Sequence, residues 1–285
     1  MMASDALSTL LSSLELPPAC VLNERIAKKL LVDNGAATPA DKRAINEGID
    51  ELIWVAALKP NNIGVPAYRD ESGEYLEIAI MTMRCRAEAR SNRITELIHR
   101  SIPYPVLLIA IKEPEAQNTE NEISRRALST GSKLVPGSPL LNVSIADKRF
   151  SQSDAQSMVL EDGITEVQLE ADSRFEAFAS AMNLGKQPRD SMLRLYHGWA
   201  AILDAYRASS ITGEFSPNSL SREERRSAIA EFERIEREII TLRNQATKEK
   251  QINKRVELNL EVKRMEMQLD AVRKELSTSA HSAPL

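Results

Sequence analysis

From Ser221 to Leu276 the chain runs 56 residues without a glycine or a proline, and this run limits what the rest can be. It carries 14 Lys and Arg against 12 Asp and Glu, with the signs interleaved. Interleaving marks a solvated helical surface with intrahelical ion pairs, rather than a basic helix that grips DNA. Two a/d seams of about three heptads each run through it. The first is Ala228, Phe232, Ile235, Ile239, Leu242 and Ala246; the second is Leu258, Val262, Met265, Leu269, Val272 and Leu276. Counting on from Ala246 in threes and fours reaches Glu249, Asn253, Val256 and Leu260, so the seams do not join in phase. A register break is predicted between Thr247 and Arg255. Either an antiparallel hairpin turns near Asn253 and the seams face each other, or one rod of roughly 84 Å offers them to different partners. Both arrangements need an apolar counterpart, because helices this polar gain little alone. Packing on the chain's own globular part is the ordinary explanation; we take a partner as the expectation.

The composition bounds the remainder. Of the 285 residues, 42% are apolar, enough for a core, while aromatics at 4% suit helices better than an all-β sandwich. The net charge of −4 argues against a whole-surface polycation for nucleic acid but leaves room for local basic patches. Cys20 and Cys85 are the two cysteines; they make no disulfide framework or zinc set, so a cytoplasmic location is expected. The start, MMASDALSTLLSSLELPPAC, lacks the basic and long apolar regions of a signal peptide. Its Leu7, Leu10, Leu11 and Leu14 predict a short helix ended by Pro17 and Pro18. No run is long enough for a membrane span.

Along the chain, VLNERIAKKLLVDNG predicts a helix capped by Asn23 and stopped at Gly35. TPADKRAINEGIDELIWVAALKP predicts another, with Thr38 as cap and a stripe of Ile45, Ile49, Leu52, Ile53 and Ala56 running towards Pro60. EYLEIAIMTMRCRAE alternates, with Leu76, Ile78 and Ile80 on one side of a strand and Glu77 and Ala79 on the other. SNRITELIHRSIP predicts a helix capped by Ser91, and YPVLLIAIKE a strand covered on both faces. A long polar loop with a short extended segment near Ile123 should follow. Two strand regions come next, LLNVSIADKRF and SMVLEDGITEVQLE, the second turning at Asp162–Gly163. From Arg174 onward only helices are expected, with a stop near Gly213. The fold class is α/β or α+β: a small mixed-sheet domain with flanking helices, then an all-helical C-terminal part. The expected divisions are 1–172 for the α/β domain, 173–218 for a helical bridge, 219–276 for the charged helical segment and 277–285 for a disordered tail.

Motifs for chemistry are weak. TGSK at 130–133 fails as a phosphate loop, since Arg126 stands where the early Gly belongs and Ser132 follows Gly131. A restriction-type nuclease needs an acid and then Glu-x-Lys on the next strand to hold magnesium. Asp70 with Glu77 comes nearest, but Ala79 stands in the Lys position. Glu113, Glu115, Glu120 and Glu122 read as an acidic surface loop, and His99 and His197 as interfacial histidines without ligand neighbours. No catalytic residue, metal or cofactor is expected. Two basic clusters remain: Arg84, Arg86, Arg90 and Arg93, opposed by Glu88, and Lys148 with Arg149. Both could neutralise phosphates, and Phe150 could stack on a base. Plain solubility and ion pairing is the preferred explanation for clusters this modest. A third basic cluster, Lys248, Lys250, Lys254 and Arg255, lies at the register break.

The stretches NERIAKKLL, SIPYPVLLIA, VSIADKRFSQSD and, most particular of all, KEKQINKRVELNLEVKRMEMQL carry a likeness, with LYHGWAAILDAYRASSITGEF in support. On them the chain resembles the bacterial and archaeal family known as domain of unknown function 4391, over about Leu16 to Leu276. The resemblance implies no activity; it implies a place beside helicases and DNA methyltransferases in bacterial defence clusters. The expectation is a non-catalytic accessory subunit whose partners are such proteins or a second copy. A DNA- or RNA-binding module is the alternative, and a degenerate nuclease-like fold a third.

Overall fold

The computed structural model describes residues 3–87, 89–112, 140–151, 158–170, 172–217 and 220–277. The expected loop with its extended segment near Ile123, the TGSK stretch, Glu88, the four loop glutamates and the tail beyond Ser277 lie outside them. The described chain divides into two units, Met1–Leu203 and Asp204–Leu285.

In the first unit the double proline does what proline chemistry requires: α1 (Ala3–Ser13) ends before it, with Leu10 and Leu14 buried. The next segment departs from expectation. Val21–Arg25 is not the first turn of a helix but an edge strand, β1, antiparallel to β2 (Ile49–Leu58). Asn23 adopts φ 53, and the register shifts between Val21 and Glu24. Asn tolerates that left-handed geometry, so here it marks a bulge rather than a cap. Helix α2 is confined to Lys28–Gly35.

Thr38 does cap α3 (Pro39–Gly48), accepting a hydrogen bond from the Asp41 amide at 3.1 Å. The helix then stops at Gly48, and the second half of its expected stripe becomes β2. The spacing of Ile49, Leu52, Ile53 and Ala56 fits a helix as well as a strand. Pairing with β1 on one side and with β5 (Ile78–Cys85) on the other settles it. A side chain on residue 48 would force a shift, because a Cβ there would lie 2.5 Å from Ile94 Cδ1. A four-residue helix, α4 (Pro60–Ile63), and a two-stranded ribbon, β3 (Tyr68–Arg69) with β4 (Glu74–Tyr75), fill the connection to β5.

Strand β5 was expected to be buried on one face; it is buried on both, while Leu76 lies outside it and exposed. Helix α5 (Ser91–Ser101) follows, with Arg90 rather than Ser91 at its N-cap, and leads to β6 (Val106–Lys112), parallel to β5. Strands β7 (Leu140–Phe150) and β8 (Met158–Leu169) add on antiparallel. The turn expected at Asp162–Gly163 does not form. Gly163 takes φ 88 within one continuous strand, and the register shifts opposite, between Ala146 and Lys148. The sheet order is β1-β2-β5-β6-β7-β8. Helices α2, α3 and α5 cover one face, where Leu31, Ile45, Leu97 and Ile98 meet Met81, Met83 and Leu108. The alternate residues Ile80, Leu107, Ile109, Val143 and Ile145 are buried too, so both faces are covered. Helix α6 (Ser173–Ala181) and the first half of α7 (Met192–Thr212) belong to this unit. Tyr196 on α7 reaches the carbonyls of Val106 and Ala146 at 3.0 and 2.9 Å.

The second unit starts within α7, which ends before Gly213 at φ 84. Ser221 and Glu224 form a reciprocal capping box at the start of α8 (Arg222–Lys248). Residues 249–251 make the turn, where the Glu249 carboxylate accepts the Gln251 amide at 2.8 Å, and α9 (Ile252–Ser277) returns. The chain therefore forms the hairpin and not the rod. Arg243 pairs with Glu266 at 2.6 Å, and Arg273 lies over the Phe232 ring at 5.7 Å, as antiparallel helices require.

Candidate interaction surfaces

Asp70, Glu77 and His99, which hinted at catalysis, each have a local structural task. Asp70 sits in the turn of the β3–β4 ribbon. It accepts hydrogen bonds from Tyr68 Oη at 2.6 Å, Ser72 Oγ at 2.7 Å and the amides of Ser72 and Gly73. Those donors, the tyrosine first, hold its carboxyl well below the usual range. Glu77 pairs with Lys59 at 3.2 Å. Among the described residues no group of three or more His, Cys, Asp or Glu could hold a metal ion. His197 lies 3.2 Å from Asp147 and edge-on to Tyr75. His99 is wholly buried, with Nε2 3.0 Å from Ser144 Oγ.

The basic residues are redistributed. Lys148 is buried, not a surface cation: its ammonium donates to the carbonyls of Ile102 and Tyr104, just past the end of α5, where backbone oxygens lack partners. A phosphate contact through Lys148 is thereby excluded. Arg149 donates to the Phe150 carbonyl at 3.0 Å, and Arg69 covers the Phe150 ring. Arg93 is committed to Asp41 at 2.8 Å and Glu96 at 2.7 Å. Arg84 stands opposite Glu51 across the β2–β5 pairing. Arg86 and Arg90 remain exposed, and Arg86 gains companions that the sequence pattern missed. Lys28, at the start of α2, feels Arg86 and Arg25; burial first, and then the Arg86 charge, pull its ammonium below the ordinary value, with Asp50 opposing. Arg25 could not be grouped with them beforehand, because its segment reads as helix. Only the β1–β2–β5 pairing brings the ends of those strands together.

In the hairpin the two seams meet. Ile235 and Ile239 pack on Val262 and Met265, with Leu242, Leu269 and Val272 around them, and Leu276 closes on Ala228 and Ile229 beside Ala208. Phe232 is buried and Leu258, nearer the turn, is half-buried. The surfaces expected to await a partner are thus occupied by each other. A different line is left outside. Ile252, Val256, Leu260 and Met267 on α9 are each more than half exposed. At about 100° per residue they fall within roughly 80° of arc, on the side of α9 opposite its seam.

A family model described as Domain of unknown function (DUF4391) matches residues 14–269. No curated protein and no solved structure matches the chain. No helix among the described residues is long and apolar enough to cross a membrane.

Proposed function

We propose that this chain, which belongs to the DUF4391 family, is a non-catalytic accessory subunit of a bacterial restriction-type or anti-phage assembly. Its α/β unit docks one component, a helicase, and its helical hairpin holds a second, a DNA methyltransferase or another copy of the chain. The observation that carries this is the hairpin itself. Its inner seams are satisfied internally, yet α9 keeps a line of large apolar side chains in water, and such a line on a charged helix is what a protein contact uses. The engagement of Asp70, Glu77 and His99 in turn, ion-pair and core contacts supports a non-catalytic role. Co-expression with the products of its neighbouring genes, which this reading expects to include a helicase and a DNA methyltransferase, followed by affinity purification, is the test. Deleting 221–285 should release at least one component. If every component stays attached to the truncated chain, the hairpin has no holding role.

A nucleic-acid-binding module is the second reading, and one observation favours it: Arg25, Lys28 and Arg86 converge at one end of the sheet. Gel shifts with duplex and single-stranded probes at low salt, comparing the chain with an Arg25→Glu, Arg86→Glu variant, test it. No shift with either probe removes this reading.

A further inference from the structure

We infer that the outer line of α9 is a self-association surface, on which a second copy of this chain docks antiparallel about a two-fold axis at Leu260. This deepens the accessory-subunit reading by naming the occupant of the hairpin's free face, and it rests on that reading only for its biological use.

The argument is one of charge and register. The line runs Ile252, Val256, Leu260, Lys263, Met267 along one side of the helix. In a parallel pair each residue faces its own equivalent, so Lys263 would meet Lys263 in the middle of an apolar contact. In an antiparallel pair centred on Leu260 the two leucines meet, Ile252 meets Met267, and Val256 lies along the aliphatic stem of Lys263. The flanks agree. Arg255 and Glu266 border the line on one side, and Glu257 and Arg264 on the other. A two-fold axis lying in the interface keeps each side with itself, so Arg255 faces Glu266 and Glu257 faces Arg264, each twice over by symmetry. No flanking charge meets its like. A parallel pair would also match opposite signs, Arg255 with Glu257 and Glu266 with Arg264, so the flanks suit self-association in either orientation and Lys263 decides for the antiparallel one. Glu266 reaches Arg243 of its own hairpin through Oε1, and its other oxygen is free for the second copy. Arg264 is largely exposed, held to Glu261 by one guanidinium nitrogen. The inner seams stay closed in this arrangement, so the dimer is a four-helix contact with α9 at its centre and α8 outside.

Sedimentation equilibrium on the full chain should show a reversible species of twice the chain mass that dissociates on dilution. Leu260→Glu places like charges on the axis and should leave monomer only, with the helical circular dichroism unchanged because Leu260 lies outside the hairpin core. Arg255→Glu should weaken the dimer, and the Arg255→Glu, Glu266→Arg double variant should restore it. Under mild oxidation Leu260→Cys should crosslink to a dimer and Met267→Cys should not; the native Cys20 and Cys85 are buried. A wild-type chain that stays monomeric at the highest soluble concentration overturns the inference. So does a Met267→Cys crosslink as efficient as that of Leu260→Cys, which indicates parallel pairing. Neither result bears on whether deleting 221–285 releases a helicase or methyltransferase, so the two readings fail separately.

Discussion

At the scale of single residues, the least legible feature is the polar pair under α5. Lys148 reads in sequence as half of a basic dipeptide at a strand end, yet its neighbour Arg149 stays partly exposed while Lys148 is buried. Pleating separates the two side chains, and strand pairing, with its register shift between Ala146 and Lys148, sets residue 148 on the side of α5. Burial draws its amine from the ordinary 10.5 down to about 7. The unfolded chain then keeps a proton that the folded one releases, so this group adds stability as pH rises from 7 towards 10.5. His99 acts at the acid end. Burial, followed by the charge of Lys148, lowers its imidazole from 6.5 to about 3. Below pH 6.5 the unfolded chain takes up a proton that the folded chain refuses, so stability falls as pH drops through the window from 6.5 to 3. Replacing His99 by Gln, which can still reach Ser144, should flatten that limb by about one proton. Urea midpoints measured across the window check this; equal slopes in variant and wild type would mean that other groups carry the acid sensitivity.

At the scale of elements, helix ends were legible where a side chain or a ring dictates them. Thr38 and the Pro17–Pro18 pair act in the structure as their chemistry predicts. The exchange of α3 for β2 was not legible, because Ile45, Ile49, Leu52 and Ile53 satisfy a 3.6-residue period up to the point where pairing takes over. Gly48 marks that point, for a steric reason outside its own segment. Gly to Ala inside a helix ordinarily stabilises by about 0.5–1 kcal/mol, and by less at a last helical residue such as Gly48. Here the added Cβ meets Ile94 Cδ1 at 2.5 Å and Ala89 Cβ at 3.2 Å in a closed core. Overpacking of that kind costs about 1–3 kcal/mol, so the clash outweighs the propensity. Gly48→Ala should therefore lower the denaturation midpoint without changing secondary structure. A raised midpoint would show that Ile94 yields freely.

At the scale of the whole molecule, charge is unevenly spread. The run 221–276 holds a small positive excess within a chain of net charge −4. Long-range attraction to a polyanion is weak in such a chain, and any nucleic-acid affinity must come from a local patch. If Arg25 and Arg86 each neutralise one phosphate, reversing both should reduce the slope of log affinity against log salt by about two. A slope that does not change places the contacts elsewhere.

What the sequence determined by itself is whatever rests on local chemistry and period: the mixed α/β class, the burial of β6, the Thr38 cap, and the phase break that set the hairpin turn within a few residues. Whether the two seams would close on each other or on partners was left open by the sequence, and the structure decided for the hairpin. What the tertiary structure alone decided is every feature set by strand pairing between distant segments. Pairing made Val21–Arg25 a strand, turned the end of a helical stripe into β2, joined Arg25 and Lys28 to Arg86, and sent Lys148 inward. The reason is physical. A backbone hydrogen bond across a sheet is made with a residue far along the chain, and its direction leaves no trace in the local order of side chains.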